Sequence, residues 1–145
     1  MREEWRQNTL AGAIEDCQSA ANELYEDMRD VFDRTPDVFK DTTGRPRELA
    51  ADNLELASDL LMGVNIPIEL QDEEVKWLKM RAGKNRQLFR PAQRNNVVRC
   101  LQACVARLSA VTQDDDISKA KDDVQGAVDI LNAVYFPGMT GRRAA

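Results

Sequence analysis

Four stretches of this chain place apolar residues at alternating steps of four and three, the spacing that lays a seam along one face of an α-helix. The first runs Leu10, Ile14, Cys17, Ala21, Leu24, Met28, Val31 and the second Ala50, Leu54, Ala57, Leu61, Val64. The third runs Val97, Leu101, Cys104, Leu108, Val111 and the fourth Ile117, Ala120, Val124, Ala127, Leu131, Val134. Leu56 and Leu60, Val98 and Val105, and Val128 and Ile130 widen these seams. That width suits a globular bundle better than a two-stranded coiled coil. Pro36, Gly44 and Pro46 break the chain between the first two helices, and Gly63 to Pro67 ends the second. Asp114–Asp116 offers an N-cap for the last helix and acids that suit its dipole. A fifth, shorter helix is expected over Asp72–Arg81, with Val75, Leu78 and Ala82 on one side. The expected fold is therefore all-α: one domain over residues 1–145, a helical bundle of four long helices plus one short helix. A chain of this length buries roughly 68–70% of its unfolded surface and needs no covalent staple.

The segment Asp52–Pro67 aligns without gaps to Asp122–Pro137, with six of sixteen positions identical. Amphipathic helices that stop at proline resemble one another by chance. A true duplication would instead make two pseudo-repeated helical hairpins.

The chain contains no histidine, which removes the usual general base and the commonest metal ligand. Its three cysteines, Cys17, Cys100 and Cys104, have no histidine or Cys-x-x-Cys partner, so no zinc site is expected. An odd number of thiols on apolar seams fits a reducing cytosol. The first residues, MREEWRQNTLAGAIEDC, do not read as a signal peptide, and no apolar run spans a bilayer. There is no phosphate-binding glycine loop and no nucleophile–base pair. These absences lead to the expectation of a cytoplasmic protein without enzymatic activity, cofactor, metal or membrane association.

Charge is segregated. Residues 1–75 hold 19 acids and 7 bases, whereas residues 76–110 hold 9 bases and no acid, within a chain of net charge −5. Lys76, Lys79, Arg81, Lys84, Arg86, Arg90 and Arg94 are interleaved with Trp77 and Phe89. That combination suits phosphate tracking and base stacking. The same arginines could instead pair with an acidic surface, and Glu23, Asp27 and Asp30 form such a stripe on the first helix. The candidate partner- or nucleic-acid-binding residues are therefore Lys76, Trp77, Lys79, Arg81, Lys84, Arg86, Arg90 and Arg94, opposed by that acidic interaction face.

Glu23 and Glu26 on the first helix and Asp52, Glu55 and Asp59 on the second are spaced so that facing helices could hold a divalent cation. They loosely resemble the ExxE and ExxD motifs of the magnesium-dependent all-α nucleotide pyrophosphohydrolases. Here Asp52-x-x-Glu55 reverses the second motif, and Glu55-x-x-x-Asp59 is one residue too long.

A second resemblance covers Arg29–Leu61. Asp33, Pro36, Asp37, Phe39, Lys40, Thr42 and Gly44, followed by Leu54, Leu60 and Leu61, are similar to a pattern in small all-helical bacteriophage and mobile-element proteins of unassigned function. It implies a helical hairpin and a phage origin. Read from the residues alone, Asp33 or Thr35 caps the turn, and Val38 and Phe39 tuck under the loop.

The expected function is that of a protein-interaction protein acting through charged helix faces. A phage origin would make an inhibitor of a host defence system, of the anti-CRISPR kind, the natural class. The acidic stripe would then imitate a nucleic-acid backbone toward a host defence or nucleic-acid-processing complex, and a homo-oligomer is compatible with the charge asymmetry. The alternatives are a nucleic-acid-binding accessory protein using residues 76–94 and the magnesium-dependent pyrophosphohydrolase.

Overall fold

The computed structural model describes residues 3–80 and 89–137. Each of the four periodic segments is an α-helix: α1 (Leu10–Asp33), α2 (Gly44–Met62), α3 (Phe89–Ser109) and α4 (Asp115–Ala133). The seams are the core. Leu10, Ile14, Cys17, Leu24 and Met28 meet Leu54, Ala57 and Leu61, with Leu101, Cys104 and Leu108 and with Val124, Ala127 and Leu131. Burying side chains of this size is worth about 1.5–3 kcal/mol each for the larger ones. At the end of α1 the buried residue is Phe32, with Val31 half-buried beside it.

The helices form a ring in which α1 packs on α2 and α3, and α4 packs on α2 and α3. The α2–α4 contact is close. A Cβ on Gly126 would meet Leu60 Cδ2 at 3.1 Å, so a glycine lets the two helices approach. Leu60 takes part in this contact, but Leu56, expected to widen the same seam, is 55% exposed.

The expected short helix over Asp72–Arg81 is corrected. Glu74–Met80 is a strand, β2, and it pairs antiparallel with a strand at the start of the chain, β1 (Glu3–Thr9). The fold is mainly α with a two-stranded sheet, not all-α. The i, i+3 spacing of Val75 and Leu78 fits a helix, but Val75 and Trp77 also alternate with the exposed Glu74 and Lys76. A β-branched residue and an aromatic in alternation suit a half-buried strand. What decides between the two is a ladder partner far away in the chain, Glu3 for Met80 and Thr9 for Glu74, which no local pattern carries.

The turns differ from expectation in detail. Val38 and Phe39 sit on a 3₁₀ turn (Asp37–Phe39) and are 77% and 51% exposed, so neither tucks under the loop. Phe32 and Thr35 fill that space. Thr35 Oγ1 donates to the Val31 carbonyl at 3.0 Å and accepts from Arg47 Nη1 at 3.1 Å. Arg29 and Lys40 lie over the Phe32 ring. Asp33 pairs with Arg29 rather than capping the turn.

The first turn of α1 is held from two sides. Thr9 Oγ1 accepts from the Gly12 N–H at 3.1 Å. The N–H groups of Leu10 and Ala11 donate to the carbonyls of Glu73 and Gln71, so donors that a helix start leaves open are satisfied by the approach to β2. Asp114 caps α4 as expected, accepting from the Ile117 N–H at 2.9 Å. Asp114→Ala is expected to lower stability by about 1 kcal/mol. Urea unfolding checks this: the midpoint should fall while the slope stays unchanged.

Candidate functional site

The basic segment is spread over two elements, and most of its described charges are spent inside the fold. On α3, Arg90 pairs with Asp27 of α1. Arg94 Nη1 donates to the carbonyls of Leu131 and Val134, both at 2.8 Å, and its guanidinium lies 5.5 Å from the centroid of the Phe136 ring. It closes the C-terminal end of α4, where a cation suits both the open carbonyls and the dipole. Burial there pushes the Arg94 guanidinium below its ordinary pKa. Arg99 Nη1 donates to the Leu78 carbonyl at 3.2 Å, and Arg107 pairs with Glu73 just before β2.

Asn96 completes this set. Its amide accepts from the Met80 N–H at 2.8 Å and donates to the Met80 carbonyl at 2.7 Å. One side chain thus does what a neighbouring strand would do, and together with Arg99 it closes the edge of β2 that faces α3. Neither residue stood out in the sequence, because the only local signal is a polar residue on a helix.

The remaining candidates lie on β2. Trp77 and Lys79 share the inner face of the sheet with Arg6 of β1, while Lys76 points to the outer face and stands 5.8 Å from the Trp5 ring centroid. Arg81, Lys84 and Arg86 lie outside the described residues. The five described candidates are therefore divided between β2 and α3, with Arg90 and Arg94 turned to partners inside the fold. Of the acidic face, Glu23 is exposed, Asp27 is engaged by Arg90, and Asp30 pairs with Arg34 at the C-cap of the same helix.

Between the inner sheet face and α1 and α3 lies a half-open cavity of about 270 Å³. Arg6, Lys79, Asp16 and Gln93 stand around it, and Trp77, Cys17 and Cys100 form its apolar part. Two cations beside an indole suit a small planar anion. Asp16 on the α1 wall and Glu4, which pairs with Arg6, oppose one.

The three thiols are free and buried. Cys17 Sγ lies 3.8 Å from the Val97 carbonyl. Cys104 pulls the Cys100 thiol down, but the contact with Cys17 and burial outweigh it and raise the pKa well above the ordinary range. Cys100 and burial push Cys104 up further still. Such thiols are poor nucleophiles at neutral pH.

The carboxylates weighed as a cation site do not converge. Glu23, Glu26, Asp52, Glu55 and Asp59 are all exposed, and Glu55 stands beside the Tyr25 hydroxyl, whose pKa it raises. Among the described residues no group of three or more acidic or cysteine side chains is placed to hold a metal ion. No described helix is long and apolar enough to cross a membrane.

No family model matches this chain, and it matches neither a curated protein nor a solved structure.

Two measurements separate the structural cations from the surface ones. Arg94→Ala removes two hydrogen bonds from a charged donor and should cost about 1.5–3 kcal/mol, whereas Lys76→Ala should stay within about 0.5 kcal/mol of the parent. Thermal unfolding of the two variants reads the contrast. The thiols set an alkaline limit. The unfolded chain releases its thiol protons near pH 8.5, about the ordinary value, while folded Cys100 and Cys104 keep theirs. Above that pH the folded state binds more protons, so stability falls as pH rises toward the folded values. The fall should shrink in a Cys100→Ala, Cys104→Ala double variant, measured by unfolding between pH 7 and 10, a range chosen to span about the ordinary thiol value.

Proposed function

We propose that this chain is a non-enzymatic protein-interaction protein whose α1–α2 hairpin docks on a basic surface of another protein. The observation that carries the reading is a mixed stripe along α2. Leu49 and Leu56 are 58% and 55% exposed, and Asp52 and Asp59, also exposed, alternate with them at helical spacing. Glu23, Glu26 and Asp30 extend the acidic surface over α1. Apolar anchors supply affinity and the carboxylates orient the approach of a positively charged partner. With the resemblance to phage proteins over Arg29–Leu61, this makes an inhibitor of a host nucleic-acid-processing complex, of the anti-CRISPR kind, our reading of the biological role. Its carboxylates would stand in for phosphates. Three buried free thiols fit action in the reducing cytoplasm.

We also read the chain as two β–α–α units. β1, α1 and α2 would correspond to β2, α3 and α4. In support, the two strands pair antiparallel, α1 lies on α3, α2 lies on α4, and the similar segments Asp52–Pro67 and Asp122–Pro137 fall at corresponding places.

A nucleic-acid-binding role is the second reading. It would rest on what the structural arginines leave over, chiefly exposed Lys76 and Lys79. One experiment separates the two: capture from a lysate of the native host, with and without nuclease, by the parent chain and by an Asp52→Lys, Asp59→Lys double variant. The protein-docking reading expects a partner that survives nuclease and binds the variant at least tenfold more weakly, about 1.4 kcal/mol. A partner lost on nuclease treatment, or one indifferent to the charge reversal, would sink it.

A further inference from the structure

The two edges of the sheet are treated differently. On the α3 side, Asn96 takes both backbone groups of Met80, and Arg99 takes the Leu78 carbonyl. The even-numbered residues of β2 therefore turn their backbone groups away from β1. In an antiparallel ladder the residues opposite them do the same on the other side. Leu78 is opposite Trp5, and Lys76 is opposite Gln7. The N–H and C=O groups of Trp5 and Gln7 thus point outward from β1, and among the described residues nothing takes them. Trp5, Arg6 and Gln7 are all exposed, Trp5 at 65%. An open edge without proline is a template for another strand.

We propose that the occupant is the same edge of a second copy, paired antiparallel about a two-fold axis at Trp5 to make a four-stranded sheet in the order β2–β1–β1–β2. Charge complementarity selects both the partner and the register. With Trp5 opposite Trp5 of the second copy, Glu4 faces Arg6 of that copy, and Arg6 faces its Glu4. Moving the axis one residue toward Arg6 sets arginine against arginine. Moving it one residue toward Glu4 sets glutamate against glutamate. Like charges directly opposite are unfavourable, and opposite charges are favourable.

The flanking strands fit the same register. Within one chain Lys79 is opposite Glu4, Leu78 is opposite Trp5, and Trp77 is opposite Arg6. On the inner face a row then reads Lys79, Glu4, then Arg6 and Trp77 of the second copy: cation, anion, cation, aromatic. On the outer face a row reads Leu78, Trp5, then Trp5 and Leu78 of the second copy, which removes two exposed indoles from water. The Glu4–Arg6 pair within one chain, part-exposed on both sides, is exchanged for two pairs between chains. This surface is separate from the α1–α2 face, so either can fail without the other.

Light scattering after size exclusion tests the proposal, at a loading on the order of 100 µM because short strand-edge interfaces are weak. The parent should run at twice the 16.4 kDa of one chain. Glu4→Arg alone and Arg6→Glu alone should each be monomeric, since each puts like charges across the axis. A one-to-one mixture of those two variants should recover the dimer. Gln7→Pro removes only an outward N–H and keeps the ladder to β2, so it should be a folded monomer by circular dichroism. A parent that stays monomeric at this loading overturns the proposal, and so does a dimer that both charge variants leave intact.

Discussion

Helix α3 carries the interactions that tie the other elements together. Its apolar seam packs on α1 and α4, as any bundle helix would. What distinguishes it is a set of polar side chains, each directed at a different neighbour: Arg90 at α1, Arg94 at the end of α4, Asn96 and Arg99 at β2, and Arg107 at the approach to β2. Apolar contacts are not directional and would tolerate sliding of one helix on another. Hydrogen bonds to specific carbonyls do not. Without Asn96 and Arg99, the backbone groups of Leu78 and Met80 would lose their partners on the α3 side, and leaving buried polar groups unpaired costs about 1–3 kcal/mol each.

This accounts for the α3 part of the charge segregation. A block of nine bases and no acid over residues 76–110 looks like an external patch, but on α3 its members meet two acids and several backbone carbonyls. Carbonyls do not register in a net-charge count. The acidic surplus over residues 1–75 is therefore only partly matched inside the molecule. Carboxylates such as Glu23, Asp52, Glu55 and Asp59 stay on the surface, where they give the hairpin its charge. The same logic separates the sheet edges: α3 side chains close the β2 edge, and among the described residues none takes the outward groups of β1.

Much of the helical architecture was legible. The seam of α4 is buried at every expected position, and those of α1, α2 and α3 differ only at their final residues. Helical spacing is a local property that burial of one face enforces. The strands were not legible. Glu3–Thr9 has no alternation of apolar residues at all, and Glu74–Met80 is compatible with two periods. Each becomes a strand because the other is there. The candidate site was half legible for the same reason. Residue type marked Arg90 and Arg94 as cations, but not that Asp27 and the last carbonyls of α4 would take them.

By itself the sequence determined four helices, their buried faces and the cap of α4, because each depends on residues within a turn or two of one another. Only the tertiary structure decided that residues 74–80 are extended, which arginines are internal, and which sheet edge is closed. Those outcomes turn on partners tens of residues away, such as Thr9 for Glu74 and Leu131 for Arg94, and the energy of a contact exists only once the fold has brought both sides together.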